Sequence, residues 1–375
     1  MTIKFLDYIG GINDYRVPGM ITYPLEEILF ATFIGLLCRA EDFDDIALLC
    51  VEELEWLRIY LPFRDGIPQP QTFRKVFALL DPQALEDAFA GWVGALQEHI
   101  QGVVAVDGKA LRGSKQRSDG TGALQVVSAW ACEAGLVLGQ RAVATKSNEI
   151  TAIPELLKCL ALEGAIVTID AMGTQKAIAD TIVARGADYV LALKGNQGTL
   201  HEDVAAWFDD PALAGPCPTS TQTTAGHGRI EERTCRVAEA SWLLGKYGGR
   251  HEGRHEGWTG LATIAQITAV RTDKKTGITT TEKRLYISSL PPDPQTIAAA
   301  VRAHWSIENN LHWQLDVTFR EDRNRTRKDF AALNLTIMRR FALNTLKRDT
   351  EKLSLKRKQL KAALNKDFRT KLLTC

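Results

Sequence analysis

Three carboxylates stand where an isolated charge would be costly. Asp107 follows the apolar run Val103-Val104-Ala105-Val106, and Asp170 follows Ile166-Val167-Thr168-Ile169. A carboxylate at the end of a buried strand is disfavoured unless it is paired, hydrogen-bonded or bound to a cation. Either aspartate alone reads equally well as a strand-end residue capping its own loop. The two together, each after a similar apolar run, favour a shared site. Glu308 is the third acid, inside His304-Trp305-Ser306-Ile307-Glu308-Asn309-Asn310-Leu311-His312-Trp313. Asp316, Glu321 and Asp322 are rival acids close by. Close carboxylates repel, so such a site calls for a hard cation, and oxygen ligands with retained water suit Mg²⁺. Two ions about 4 Å apart clamp the attacking and leaving oxygens of an in-line phosphoryl displacement, and no protein nucleophile is needed. Two Mg²⁺ ions are therefore the expected cofactors, with Mn²⁺ as a substitute.

Other chemistry fits less well. His304, Glu308 and His312 recur every four residues and share a helix face. Residues 304 and 312 are about 12 Å apart along a helix, too far for one zinc ion with bonds of about 2 Å. A glycosidase also needs two carboxylates, but it does not call for the basic segment described below. The seven cysteines stand apart and form no CxxC pair, so neither a zinc ribbon nor a disulfide framework is expected. Trp305 and Trp313 read as core packing in preference to base-stacking platforms.

The elements that must position these acids follow from hydrophobic periodicity. Residues 1–98 read as helices over 24–39, 43–60, 73–80 and 82–99, with Thr72 as an N-cap and a Pro/Gly break over 61–71. That break is too long for a helix-turn-helix. From residue 101 the pattern changes to strands over 103–111, 124–132 and 136–143. A helix over 150–162, a strand over 165–172, a helix over 176–185 and a strand over 188–194 follow. This is the order of a ribonuclease-H-like mixed sheet, in which the first and fourth strands are neighbours and bring Asp107 beside Asp170. Residues 199–210 read as a helix, and 211–290 as a Gly- and Thr-rich β insertion. Its strands are expected near 233–239, 261–272 and 280–290. Within it, Arg250-His251-Glu252-Gly253 repeats at once as Arg254-His255-Glu256-Gly257, read as a duplicated solvent-facing loop in preference to a metal loop. One helix over 294–317 carries Glu308, and basic helices follow over 330–347 and 351–364.

The fold class is thus α/β: a ribonuclease-H-like core with a β-rich insertion, an N-terminal helical domain and basic C-terminal helices. The expected division is 1–100 helical, 101–210 first part of the core, 211–290 insertion, 291–345 core completion and 346–375 basic tail. The net charge of +1 over 375 residues hides a gradient. Residues 1–100 hold 7 basic and 16 acidic side chains, whereas 320–375 hold 17 basic and 6 acidic ones. Such asymmetry points to a polyanion partner. The longest apolar run, 28–38, is too short to cross a bilayer. No signal pattern opens the chain, so a cytoplasmic protein is expected.

At these residues the chain resembles DDE insertion-sequence transposases of the H-repeat-associated (ISAs-type) branch. The matching stretches are VVAVDGKALRGS at 103–114, AIVTIDAMGTQ at 165–175, DYVLALKGNQGTL at 188–200, HGRIEER at 227–233 and HWSIENNLHWQLDVTFREDR at 304–323. LPFRDGIPQPQTFRKVFALLDP at 61–82 is similar to the segment that precedes the catalytic core in that branch. The resemblance makes Asp107, Asp170 and Glu308 the catalytic, metal-holding acids. It departs from relatives outside the branch that carry Tyr, Arg and Lys around the Glu. Here those positions are Val301, His304 and Leu315, and Arg302 or His304 is left to contact phosphate.

The implied partner is double-stranded DNA, both element ends and target, bound by a homodimer associated with the nucleoid, without a membrane role. The implied reaction binds terminal inverted repeats, cleaves the ends and joins the 3′-hydroxyls to target DNA. A catalytically silent DNA-binding derivative and a nuclease that cuts without joining remain open. Candidate DNA contacts are Lys109, Arg112, Lys194, Asn196, Gln197, His227, Arg229, Arg302, His304, Lys356 and Arg357. Their plainer readings are polar turns, a closed hairpin and a solvated helix face.

Overall fold

The computed structural model describes residues 4–96, 100–115, 122–144, 147–214, 216–226, 228–243 and 257–374. Among them, nine strands form one mixed sheet: β1 (Val103–Leu111), β2 (Leu124–Ala131), β3 (Leu136–Ala142), β4 (Ile166–Ile169), β5 (Asp188–Leu193), β6 (Thr219–Gly226), β7 (Arg229–Glu239), β8 (Thr263–Asp273) and β9 (Thr279–Ser288). Their order across the sheet is β3-β2-β1-β4-β5-β9-β8-β7-β6. β1 is antiparallel to β2 and parallel to β4, and β4 is parallel to β5. This is the ribonuclease-H-like arrangement, with the first and fourth strands adjacent.

Period-2 alternation decides which face carries the chemistry. Val103, Ala105 and Asp107 share one face of β1. Ile166, Thr168 and then Asp170 continue the same face of β4, because Val106 pairs with Ile169. Over that face packs the helix Pro294–His304, whose Ile297 and Ala300 join Val103, Val190, Val237 and Ile267 in one apolar cluster. Val104, Val106 and Val167 point to the opposite face, into the main core with Ile153, Leu156 and Ile178.

The insertion is continuous with the core. β9 pairs antiparallel with β5, Val190 opposite Ser288, so the four later strands extend the same sheet. β6 was not expected from the sequence. It is an edge strand of TSTQTTAG, exposed along nearly its whole length, and so lacks apolar alternation. Residues 250–256 of the duplicated tetrapeptide lie outside the described residues.

Several helix expectations are corrected. The helix expected over 43–60 is split into Phe43–Glu52 and Leu54–Leu57. The next helix begins at Pro70 with Gln69 as its N-cap instead of Thr72, because Pro is well placed in a first turn whose N–H groups have no intrahelical partner. The helix expected over 294–317 is interrupted: after His304 comes one turn of π-helix, Glu308–His312, then Trp313–Val317. The Trp313 N–H reaches the Glu308 carbonyl, an i→i+5 bond. Trp305 and Trp313 are not core residues, being 45% and 52% exposed.

The expected boundary at 345/346 falls inside a single helix, Ala331–Arg348. This helix is buried along most of its length and joins both ends of the chain to the sheet. Phe341 packs within 5.1 Å of Phe5, Phe89 and Trp92, measured between ring centres. Asn334 donates to the carbonyls of Phe77 and Leu80, and Asn344 bonds both backbone groups of Val137. The final helices Leu355–Leu364 and Lys366–Thr374 pack on the N-terminal ones: Gln359 donates to the Leu36 carbonyl, and Arg369 lies 3.0 Å from Glu53.

A buried ion network ties this helical unit to β1. Glu321 is 2% exposed and lies 3.3 Å from Lys109, 3.6 Å from Arg340 and 3.9 Å from Arg339. Burial alone would raise its pKa, but Arg340, Lys109 and Arg339 together hold it at about 2. Glu321→Gln leaves three buried cations short of an anion, and a stability loss of about 3–5 kcal/mol is expected, measured by urea unfolding. The depressed pKa also fixes a pH window. The stabilisation is complete above the ordinary carboxylate range and is lost as pH falls from about 4.5 towards about 2.

Candidate active site

Asp107 leaves β1 towards the π turn. Its carboxylate lies 3.6 Å from His312 Nδ1, which in turn lies 3.0 Å from Glu308 Oε2. One ligand atom from each of Asp107, Glu308 and His312 falls within 4.8 Å of the others. Asp170 opens the turn after β4, where its Oδ1 accepts from the Met172 and Gly173 N–H groups at 3.1 and 3.3 Å. Asp107, Asp170 and Glu308 line one cleft of about 710 Å³. A fourth acid comes from the start of the helix Glu149–Lys158. A Cβ placed on Gly108 would lie 1.9 Å from Glu149 Oε1, so Glu149 rests against the backbone directly after Asp107.

The electrostatics are those of crowded anions. Burial, only partly opposed by the Gly108 N–H, pushes the Asp107 pKa up to about 7, and the charges of Asp170, Glu149 and Glu308 add to the rise. Burial and Asp170 raise Glu149 as well. Burial lowers the His312 pKa more than the Glu308 bond raises it, so the ring is neutral near pH 7. A lone pair on Nδ1 would face two carboxylates, so the proton belongs on Nδ1, where it is donated to Glu308. His312 Nε2 is buried without a hydrogen bond among the described residues. The donor set of Asp107, Asp170 and Glu308 fits a hard divalent cation, which relieves their repulsion. His312 fits the role of a clamp on Glu308 better than that of a metal ligand.

The other sequence candidates are dispersed. Lys109 is buried among Asp316 (2.7 Å), Glu321 and Asp322 (both 3.3 Å), which also accounts for the three rival acids. Arg112 is exposed and lies 3.6 Å from Asp322. Lys194 opens onto the cleft. Asn196 donates to the Ala171 carbonyl and Gln197 to that of Thr174, at 2.6 and 2.7 Å, so both amides brace the turn that carries Asp170. His304 is bonded to Thr168 Oγ1 at 3.0 Å, and burial lowers its pKa. Arg302 faces Glu231 at 4.0 Å. Arg229 is exposed at the start of β7, Lys356 and Arg357 are exposed, and His227 lies outside the described residues.

Sequence reasoning missed Glu149 because a Glu opening a helix has no unusual local signal. It noticed His312 only as a zinc ligand. It also missed Arg284, whose guanidinium sits 5.1 Å from the Trp305 ring centre on the cleft wall.

Comparison with known proteins matches the family model described as "Transposase DDE domain" over residues 98–345 and the model "DDE_Tnp_1-associated" over residues 6–93. The chain belongs to the DDE transposase family. DDE transposases are metal-dependent polynucleotidyl transferases. Relatives of this transposase include "Putative transposase YncI" of Escherichia coli O157:H7, 39% identical over 96% of this chain and 92% of that protein. "H repeat-associated putative transposase YhhI" of Escherichia coli (strain K12) is 35% identical over 97% and 96%. A cryo-EM structure of the piggyBac transposase synaptic complex with hairpin DNA aligns with TM-score 0.47 and 11% identity, over 99% of this chain and 78% of that one. Among the described residues of the transposase, no helix is long and apolar enough to cross a membrane.

Two outcomes are expected. His312→Ala, which frees Glu308, should lower metal affinity or Mg²⁺-dependent strand cleavage about 10–100-fold, seen as a shifted Mg²⁺ titration and partly restored in His312→Gln. Asp107 binds its proton more tightly folded than unfolded, so metal-free protein should lose stability as pH rises from about 4 to about 7. Thermal unfolding with and without Mg²⁺ across that range checks this, and the metal should restore stability most at the alkaline end.

Proposed function

We propose that this transposase binds the terminal inverted repeats of an insertion sequence, hydrolyses the end phosphodiester and joins the freed 3′-hydroxyl to target DNA. The observation that carries this reading is the convergence of Asp107 and Glu308, from positions 201 residues apart, on the cleft that Asp170 also lines. In this reading Asp107, Asp170 and Glu308 hold two Mg²⁺ ions. When bound, the ions supply charge stabilisation for the attacking and leaving oxygens. The protein's own part is positional. The sheet sets Asp107 beside Asp170, the π turn presents Glu308, and His312 keeps the Glu308 carboxylate aimed at Asp107.

Lys194 on the cleft wall is the cation offered to phosphate oxygens in this reading, whereas Lys283 and Arg284 beside it pair with Asp209 and Glu282. His304 is taken up by Thr168 and serves the packing of its helix instead. A homodimer is the working form in this reading, because two ends must be cut and joined together.

The test incubates the full chain with Mg²⁺, a duplex containing the inverted repeat that flanks its gene, and a supercoiled target plasmid. Joined product is expected, and Asp107→Asn should reduce it to background while still shifting the duplex in a gel. Cleavage without joining, or binding without cleavage under any divalent metal, would overturn the proposal.

A further inference from the structure

The basic C-terminal segment does not present its charge as the composition suggested. Lys358 lies 3.1 Å from Asp349, Lys361 lies 2.8 Å from Glu351, Lys371 lies 2.6 Å from Asp349, and Arg369 pairs with Glu53. These cations hold the helical unit together. Lys352, Lys356 and Arg357 stay exposed there, but a denser group of cations lines a groove of about 510 Å³ between the helix Pro70–Leu79 and the loop 324–328. Five of its lining residues are cations: Lys75, Arg325, Arg327 and Lys328, and Arg74, which is already paired with Asp44. Asp42 is its one lining acid among the described residues, and that carboxylate caps its own helix by accepting from the Asp44 and Asp45 N–H groups. Lys75, Arg325, Arg327 and Lys328 are exposed.

The loop that bears three of these cations is held in place. Asn324 donates to the Glu41 carbonyl at 3.0 Å and accepts from the Thr326 N–H. Arg327 Nε donates to the Gly113 carbonyl at 3.0 Å. A Cβ on Gly113 would lie 2.1 Å from the Asn324 carbonyl oxygen, so only glycine allows the two backbones to approach so closely. The groove is thereby fastened to the end of β1. From Asp107 to Leu111 the strand covers about 13 Å, and the turn to Gly113 adds a few ångströms. At about 3.4 Å per base pair along a strand, that path puts the near edge of the groove within roughly five base pairs of Asp107.

We propose that this groove seats the sugar-phosphate backbone of the DNA duplex beside the cleaved end, about half a helical turn from the scissile phosphate. The proposal rests on the function proposed above. It adds a surface, and it moves the main phosphate contact from the C-terminal helices to the junction of helix 70–79 with loop 324–328. Cations on a braced loop meet phosphates without first losing conformational freedom, and each phosphate neutralised releases condensed counterions.

The test measures binding of the full chain to a labelled duplex of arbitrary sequence by fluorescence anisotropy over a salt series. The groove variant carries Lys75→Glu, Arg325→Glu and Lys328→Glu. A charge-matched control carries Lys158→Glu, Lys275→Glu and Lys352→Glu, at exposed sites away from the groove. The groove variant should bind at least tenfold more weakly, with a log–log salt slope shallower by about 2.7 than the unaltered protein. The control should keep the original slope, and both should melt at the same temperature.

An unchanged slope in the groove variant, or equal losses in both variants, overturns the groove assignment while leaving the transposase reading intact. Equal affinity for an RNA duplex, with the same loss on substitution, overturns its assignment to DNA. Failure of the unaltered protein to bind any duplex sinks the parent reading, and the groove falls with it.

Discussion

The crowding of three further carboxylates around one partly desolvated aspartate, Asp107, is the constraint on which the cleft depends. Asp107, Asp170, Glu149 and Glu308 lie close enough to raise the proton affinity of Asp107, and no local preference of the chain would bring them together. Each arrives on a different element, and each element is fixed by apolar packing remote from the charges. β1 and β4 are locked by their parallel register, and the helix Pro294–His304 is seated on the sheet by Ile297 and Ala300. The fold therefore holds four acids, one of them partly protonated near neutral pH, in an arrangement that a divalent cation relaxes. Binding strength at such a site derives in part from the destabilisation built into its empty form.

The π turn shows how a small backbone irregularity serves this constraint. A regular helix through residues 304–313 would space its side chains evenly. The π turn Glu308–His312 widens the helix where Glu308 and His312, already neighbours one turn apart, face Asp107. Trp305 and Trp313, on either side of the turn, are half-exposed. Arg284, from β9 in the insertion, lies over Trp305, so a strand far along the sheet contributes to the wall of the same cleft.

Much of this was legible in the sequence, for identifiable reasons. The core strands are apolar runs with sharp ends, so their order and the adjacency of Asp107 and Asp170 follow from pattern alone. Glu308 was found through its motif. What stayed hidden depends on contacts distant in sequence. β6 is exposed and threonine-rich, so it lacks the alternation that marks a strand. Lys109 looks like a phosphate ligand until Glu321 and Asp322, more than 200 residues away, take it up. The C-terminal charge count overstated the free charge, because Lys358, Lys361, Arg369 and Lys371 pair with acids inside the fold, whereas Lys356 and Arg357 are exposed. Glu149 carries no signal at all until the chain brings it against Gly108.

The long path between the acids has a consequence for how the protein is made. The insertion and its strands separate Asp170 from Glu308, and the turn that carries Glu308 is anchored by Ile307 and Leu311 in the main core, which the helix Ala331–Arg348 also lines. A nascent chain emerging from the ribosome thus exposes two acids early and the third only near the end of synthesis. Domains built from such non-local contacts complete their structure late. A prematurely terminated product that stops just before Glu308 would carry the strands of the sheet but not the full set of acids. The topology thereby makes the gathering of all three acids a property of the nearly finished chain alone.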